Sequence, residues 1–123
     1  MSKILVAEDD PYLSRYIQTI LTRWGCDVVV EQTAERAILR AGTFKPDVAL
    51  LGFITPGMDG AKAGVKFLMH SPETRVVLTV ESAPSEVLDD PRARGYVFQT
   101  LVAPFKVQEL HLLCFPSLLP RVE

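Results

Sequence analysis

The chain lacks the means to be several kinds of protein. It has only two cysteines, Cys26 and Cys114, in 123 residues. They show no CxxC spacing and are too few for a disulfide framework, so they read as reduced packing thiols. No apolar run reaches the roughly 20 residues that a membrane-spanning helix needs. Residues 1–4 lead straight into a strand pattern, which leaves no room for the charged and apolar regions of a secretory signal. A cytoplasmic setting is therefore expected. Nor is there a run of one charge: 13 lysines and arginines against 15 aspartates and glutamates give a net −2. That balance provides no electrostatic footprint for nucleic acid or an anionic membrane. No internal repeat, linker or low-complexity segment divides the chain.

What remains is ordinary globular material. An apolar content of 48% suffices for one core, and the length suits a single domain over 1–123. Apolar β-branched runs alternate with helical periodicity. Lys3–Ala7 reads as a strand buried on both faces. Asp10 and Pro11 then supply an N-cap and a first-turn proline. Leu13, Tyr16, Ile17, Ile20, Leu21 and Trp24 mark one face of the helix that follows, and Gly25 is placed to end it. A second strand is predicted over 27–30. Thr33 caps a second helix marked by Ala34, Ala37, Ile38 and Ala41, and Pro46 prevents its continuation.

Residues 48–51 form the third predicted strand. A third helix follows over 61–70, with Ala61, Val65, Leu68 and Met69 inward, and the fourth strand is 76–80. The last third is less regular: a fourth helix begins over 85–88 but meets Pro91, a fifth strand lies within 96–102, and a short fifth helix over 107–115 stops at Pro116. Such alternation implies a parallel sheet covered on both faces. The expected fold is α/β, a flavodoxin-like (βα)5 doubly wound sheet of strand order 2-1-3-4-5, with a divergent fourth and a short fifth helix. Its site should lie at the carboxyl ends of the strands, around the first and third.

Four groups fall at those ends. Glu8-Asp9-Asp10 follow the first strand, Gly52 ends the third, Thr79 lies near the end of the fourth, and Ala103-Pro104-Phe105 follow the fifth. The segments ILVAEDDP (4–11), PDVALLGFITPGMDG (46–60), VVLT (76–79) and APF (103–105) resemble, in order and spacing, those of bacterial response-regulator receiver domains. The resemblance covers nearly the whole chain. It implies that Glu8 and Asp9 match the family's acidic, Mg²⁺-binding pair and that Thr79 matches its switch threonine. It also implies that Gly52 stands where the phosphoacceptor aspartate would be and Ala103 where the lysine would be. The aromatic that relays the switch in many receivers would fall at Thr100, and the small residue after the threonine is here the bulkier Val80.

The chemistry needs a carboxylate to attack phosphorus, a lysine to balance the new charge and a hydroxyl to donate to a phosphoryl oxygen. Glycine has no nucleophile. The resemblance therefore implies a non-catalytic pseudo-receiver in two-component or phosphorelay signalling. It would require no cofactor, bind Mg²⁺ at most weakly at Glu8 and Asp9, and act through protein contacts. The surface expected for these is the apolar C-terminal cluster of Leu112, Leu113, Phe115, Leu118 and Leu119, with a homodimer through the fourth helix, fifth strand and fifth helix as one form.

Two alternatives stand beside it. Glu8 or Asp9 serves as a substitute phosphoacceptor, or Gly52 and Ala103 are engineered changes in an ordinary phosphorylatable receiver. Plainer roles are also open: Asp10 as a helix cap, Gly52 as a permissive loop residue, Thr79 as a strand-end hydroxyl, and Asp59-Gly60 as a turn whose aspartate caps the third helix. Asp47 lies at the opposite end of the sheet. His70 and His111, without partners at metal or phosphorelay spacing, read as surface or packing residues.

Overall fold

Strand β1 (Lys3–Ala7) buries every residue after Lys3. It opens the computed structural model, which describes residues 2–52, 54–55, 58–80, 99–102 and 105–114. Helix α1 (Pro11–Arg23) starts where the Asp10 carboxylate accepts the N–H groups of Tyr12 at 2.9 Å and Leu13 at 3.3 Å. Pro11 follows at a position whose N–H would have no helical partner. The helix ends at Trp24, and Gly25 takes φ +84°, a left-handed conformation that only glycine adopts cheaply. After β2 (Asp27–Glu31), the Thr33 hydroxyl accepts the Arg36 N–H at 3.2 Å and caps α2 (Ala34–Phe44). Lys45, at φ +52°, turns the chain out of the helix just before Pro46.

The central strand β3 (Val48–Gly52) is buried along its whole length. Two short strands, β4 (Ile54–Thr55) and β5 (Met58–Asp59), pair antiparallel. They were not expected; each is too short to carry a period. α3 (Gly60–His70), β6 (Arg75–Val80), β7 (Gln99–Val102) and α4 (Val107–Cys114) follow. The expected fourth helix over 85–88 lies outside the described residues. α4 corresponds to the expected fifth helix.

Five strands form a parallel sheet of order β2-β1-β3-β6-β7. Strand alternation divides its side chains between two layers. Leu5, Ala7, Ala49, Leu51, Val76 and Leu78 meet the inner faces of α2 and α3. Ile4, Val6, Val48, Leu50, Val77 and Leu101 meet Ile17 and Leu21 of α1 and Leu110 and Cys114 of α4. Both cysteines are buried and free. Burial pushes the Cys114 thiol up to about 12, so it stays protonated and inert at neutral pH.

Two inward faces differ from expectation. On α1, Ser14, Ile17 and Leu21 form the buried stripe, whereas Tyr16 is exposed one turn from the still more exposed Tyr12. Ser14 tolerates burial because its hydroxyl donates to the Pro11 carbonyl at 3.3 Å. On α3, the buried residues are Ala63, Gly64 and Phe67; Val65 and Leu68 are half-buried, and Met69 is 71% exposed. Phe67 claims the core because it buries more apolar surface than Met69, and Met69 then falls on the opposite side of the helix. The side chain of Ala61 lies outside the described residues.

This assignment yields a contrast. Phe67→Ala should lower unfolding free energy by about 3–5 kcal/mol, and Met69→Ala by no more than about 0.5 kcal/mol. Urea denaturation of the two variants checks it, and equal losses would place the α3 core face elsewhere.

Candidate functional site

The parallel register brings the ends of three strands to one level. Ala7 pairs with Leu51, so the next positions along β1 and β3 are Glu8 and Gly52. Gly52 in turn pairs with Thr79 of β6. On the other side, the Glu8 N–H donates to the Glu31 carbonyl at 3.1 Å and extends the β1–β2 ladder by one step. Counting by twos from Val6, Leu50 and Val77 puts Glu8, position 52 and Thr79 on the α1 side of the sheet. Gly52 is thus the last rung of a buried strand and not a loop residue.

Glu8 is half-buried, and Asp9 is exposed. The Glu8 Oε2 accepts the Asp9 N–H at 3.0 Å. Burial raises the Glu8 carboxyl to about 7, and the neighbouring Asp9 carboxylate adds to the rise; backbone N–H groups of Asp9 and Asp10 pull against it. Asp10 is committed to capping α1. The Thr79 hydroxyl donates to the Leu51 carbonyl at 3.3 Å, which ties the end of β6 to β3.

Residue 59 lies in β5, immediately before α3, where a turn was expected; its side chain is outside the described residues. Asp47 accepts the Lys3 N–H at 2.8 Å at the far end of the sheet and takes no part. Thr100 pairs with Leu78 in β7, but its side chain is not among those described. Ala103, Phe115, Leu118 and Leu119 lie outside the described residues, as does the Leu113 side chain. Leu112 is exposed on α4.

The histidines pack or sit at the surface. The His70 ring pairs with the Lys66 carbonyl at 2.9 Å. His111 meets Trp24 edge-on, with ring centroids 4.6 Å apart and planes at 87°, which fastens α4 to the end of α1. The sequence carried no signal for that contact, because its two residues are 87 positions apart. The burial of Glu8 was readable from its place two residues after Val6.

A hard cation such as Mg²⁺ usually takes one or two protein carboxylates and fills its octahedron with water and phosphate oxygens. Glu8 and Asp9 match that donor type. Among the described residues, no group of three or more acidic, histidine or cysteine side chains is placed to hold a metal.

The family model of the response regulator receiver domain matches residues 4–113. The chain is 32% identical over 119 residues to the DNA-binding response regulator MtrA of Mycolicibacterium smegmatis, covering 88% of this chain and 46% of that protein. It is 30% identical over 112 residues to the KDP operon transcriptional regulatory protein KdpE of Escherichia coli, covering 89% and 48%. The chain therefore spans about half the length of these relatives. In fold it is similar to chemotaxis protein CheY4 of Vibrio cholerae, with TM-score 0.81, 22% identity and coverage of 97% and 99%. The receiver domain of sensor histidine kinase PA1611 from Pseudomonas aeruginosa, solved with a magnesium ion coordinated in its active site cleft, gives TM-score 0.82, 21% identity and coverage of 94% and 95%. With the match running from the first buried strand almost to the end of α4, the chain belongs to the response regulator receiver domain family, a module of two-component signalling.

Proposed function

We propose that this receiver acts without phosphoryl transfer, as a protein-interaction module of a two-component or phosphorelay system. Gly52 carries the reading. It ends β3 beside Glu8 and Thr79, at the position where the family resemblance puts the acceptor aspartate, and it has no side-chain atom to attack phosphorus. Ala103, at the lysine position, removes the cation that would balance a phosphoryl group. Thr79 directs its proton to the Leu51 carbonyl, so its hydroxyl already has an internal acceptor. Thr100 replaces the aromatic of the switch.

Asp9, with Glu8 behind it, is the set that would hold Mg²⁺, and the cation would supply positive charge for phosphate oxygens. The rise of the Glu8 carboxyl to about 7 keeps much of it protonated at neutral pH, which weakens cation binding there. The same protonation makes Glu8 a poor substitute nucleophile, and Asp9 could serve as one only by leaving its cation role. Without an acceptor, phosphate has no differential affinity with which to bias two conformations. Output then rests on contacts, with Leu112 and the C-terminal residues Leu113, Phe115, Leu118 and Leu119 as the proposed surface for a partner or a second copy.

Incubation with a small phosphodonor and Mg²⁺, followed by intact mass measurement, should leave the chain unmodified. An adduct mapped to Glu8 or Asp9 would overturn the reading. The site's electrostatics have their own test. The Glu8 proton is held more tightly in the folded chain, up to about 7 against 4.5 for a free carboxyl, so ionising Glu8 costs stability as pH rises through that window. The melting temperature of Glu8→Gln should equal that of the parent below pH 4.5 and exceed it increasingly up to about pH 7. A difference independent of pH would show that Glu8 is not held in a desolvating site.

A further inference from the structure

Both cysteines of the chain lie in one layer of the core. Cys26 is the residue before β2, and its N–H donates to the Leu21 carbonyl at 3.0 Å. Cys114 is the last residue of α4. Both thiols are free and buried, in the layer that packs α1 and α4 against the sheet. Three observations bring them toward one point. Trp24, two residues before Cys26, meets His111 with ring centroids 4.6 Å apart, and His111 lies one helical turn before Cys114. Arg75 opens β6 level with Val48 and Ile4, and Asp27, next to Cys26, is level with Lys3 at that same end of the sheet. Charge then links the side chains across this end. Burial is the main cause of the raised Cys114 thiol, the neighbouring Cys26 adds to the rise, and the Arg75 guanidinium opposes it.

We propose that Cys26 and Cys114 are a redox pair whose disulfide staples α4 to the corner between α1 and β2. The oxidant is a small disulfide of the oxidised glutathione class. The Cys114 thiol gives its proton to water, and its thiolate attacks one sulfur of the small disulfide. The first small thiolate leaves and takes up a proton. The Cys26 thiolate then attacks the Cys114 sulfur of the mixed disulfide and expels the second small thiolate, which is protonated in turn. Two electrons pass from the protein to the small disulfide: two protein thiols become one disulfide, and one small disulfide becomes two thiols.

In the closed fold both thiols are sheltered, so the reaction runs through an opening of α4. That helix has eight residues, and among its described side chains only Leu110 and Cys114 are buried in the layer. An element with so few buried contacts opens locally at less than the cost of global unfolding. The disulfide closes that route and holds α4, with its exposed Leu112, in one position; reduction releases it. The pair lies at the opposite end of the sheet from the Glu8–Gly52–Thr79 cluster, so the inference is independent of the loss at position 52.

The test is incubation of the reduced chain with oxidised glutathione, followed by intact mass measurement, peptide mapping and hydrogen exchange. The chain should lose two hydrogen atoms and yield one crosslinked peptide pair that joins Cys26 to Cys114. Hydrogen exchange over 107–114 should slow about tenfold or more on oxidation and recover on reduction with dithiothreitol. Cys26→Ala and Cys114→Ala should each abolish both changes. Where one of these variants fails to fold, the other carries the same test. A chain that keeps its reduced mass, stops at a glutathione adduct or links to a second copy would overturn the proposal. So would a Cys26–Cys114 crosslink that leaves exchange in α4 unchanged.

Discussion

The register of β3 between β1 and β6 is the constraint on which the rest depends. All five residues of β3 are buried, so a slip of one residue would turn its apolar side chains to the wrong layers. That register brings Glu8, Gly52 and Thr79 to one level and one side of the sheet. The hydrogen bond from Thr79 to the Leu51 carbonyl ties the level together without any ligand. The core therefore places the site, whatever chemistry its residues retain.

Much of this was legible in the sequence, for physical reasons that differ by element. β1 and β3 are continuous apolar runs, the signature of strands covered on both faces. The caps at Asp10 and Thr33 were readable because so few residue types satisfy the first N–H groups of a helix. The inner faces of α1 and α3 were less so. Ser14 is polar, yet its hydroxyl bonds back to the helix, and sequence hydrophobicity does not register that option. On α3, several apolar residues competed for the inside, and packing against Ala37 and Ala41 of α2 and the sheet selected Ala63 and Phe67 over Met69. The Trp24–His111 contact joins residues far apart in the chain and follows from the fold alone. For the site, spacing located Glu8 and Gly52, while the raised proton affinity of Glu8 required its burial to be known.

The site joins two halves with different fates. The acidic half persists in type: Asp9 is exposed and Glu8 is half-buried. At the position that the family resemblance gives to the acceptor stands Gly52. On the proposed reading, that combination leaves a phosphate signal nothing to act on and makes surface contact the output. The surfaces available differ in character: an apolar one on α4 at Leu112, and a mixed one formed by Glu31 of β2 with Arg36, Leu39, Arg40 and Thr43 of α2.

The central claim is that positions 52 and 103 together carry the loss of phosphoryl chemistry. Gly52→Asp combined with Ala103→Lys, shown to be folded and exposed to a small phosphodonor with Mg²⁺, tests it most directly by intact mass. The account predicts one acid-labile phosphoryl group on the double variant, mapped to position 52. A folded double variant that takes up none would contradict the account and move the loss to Val80, Thr100 or the region that follows β6.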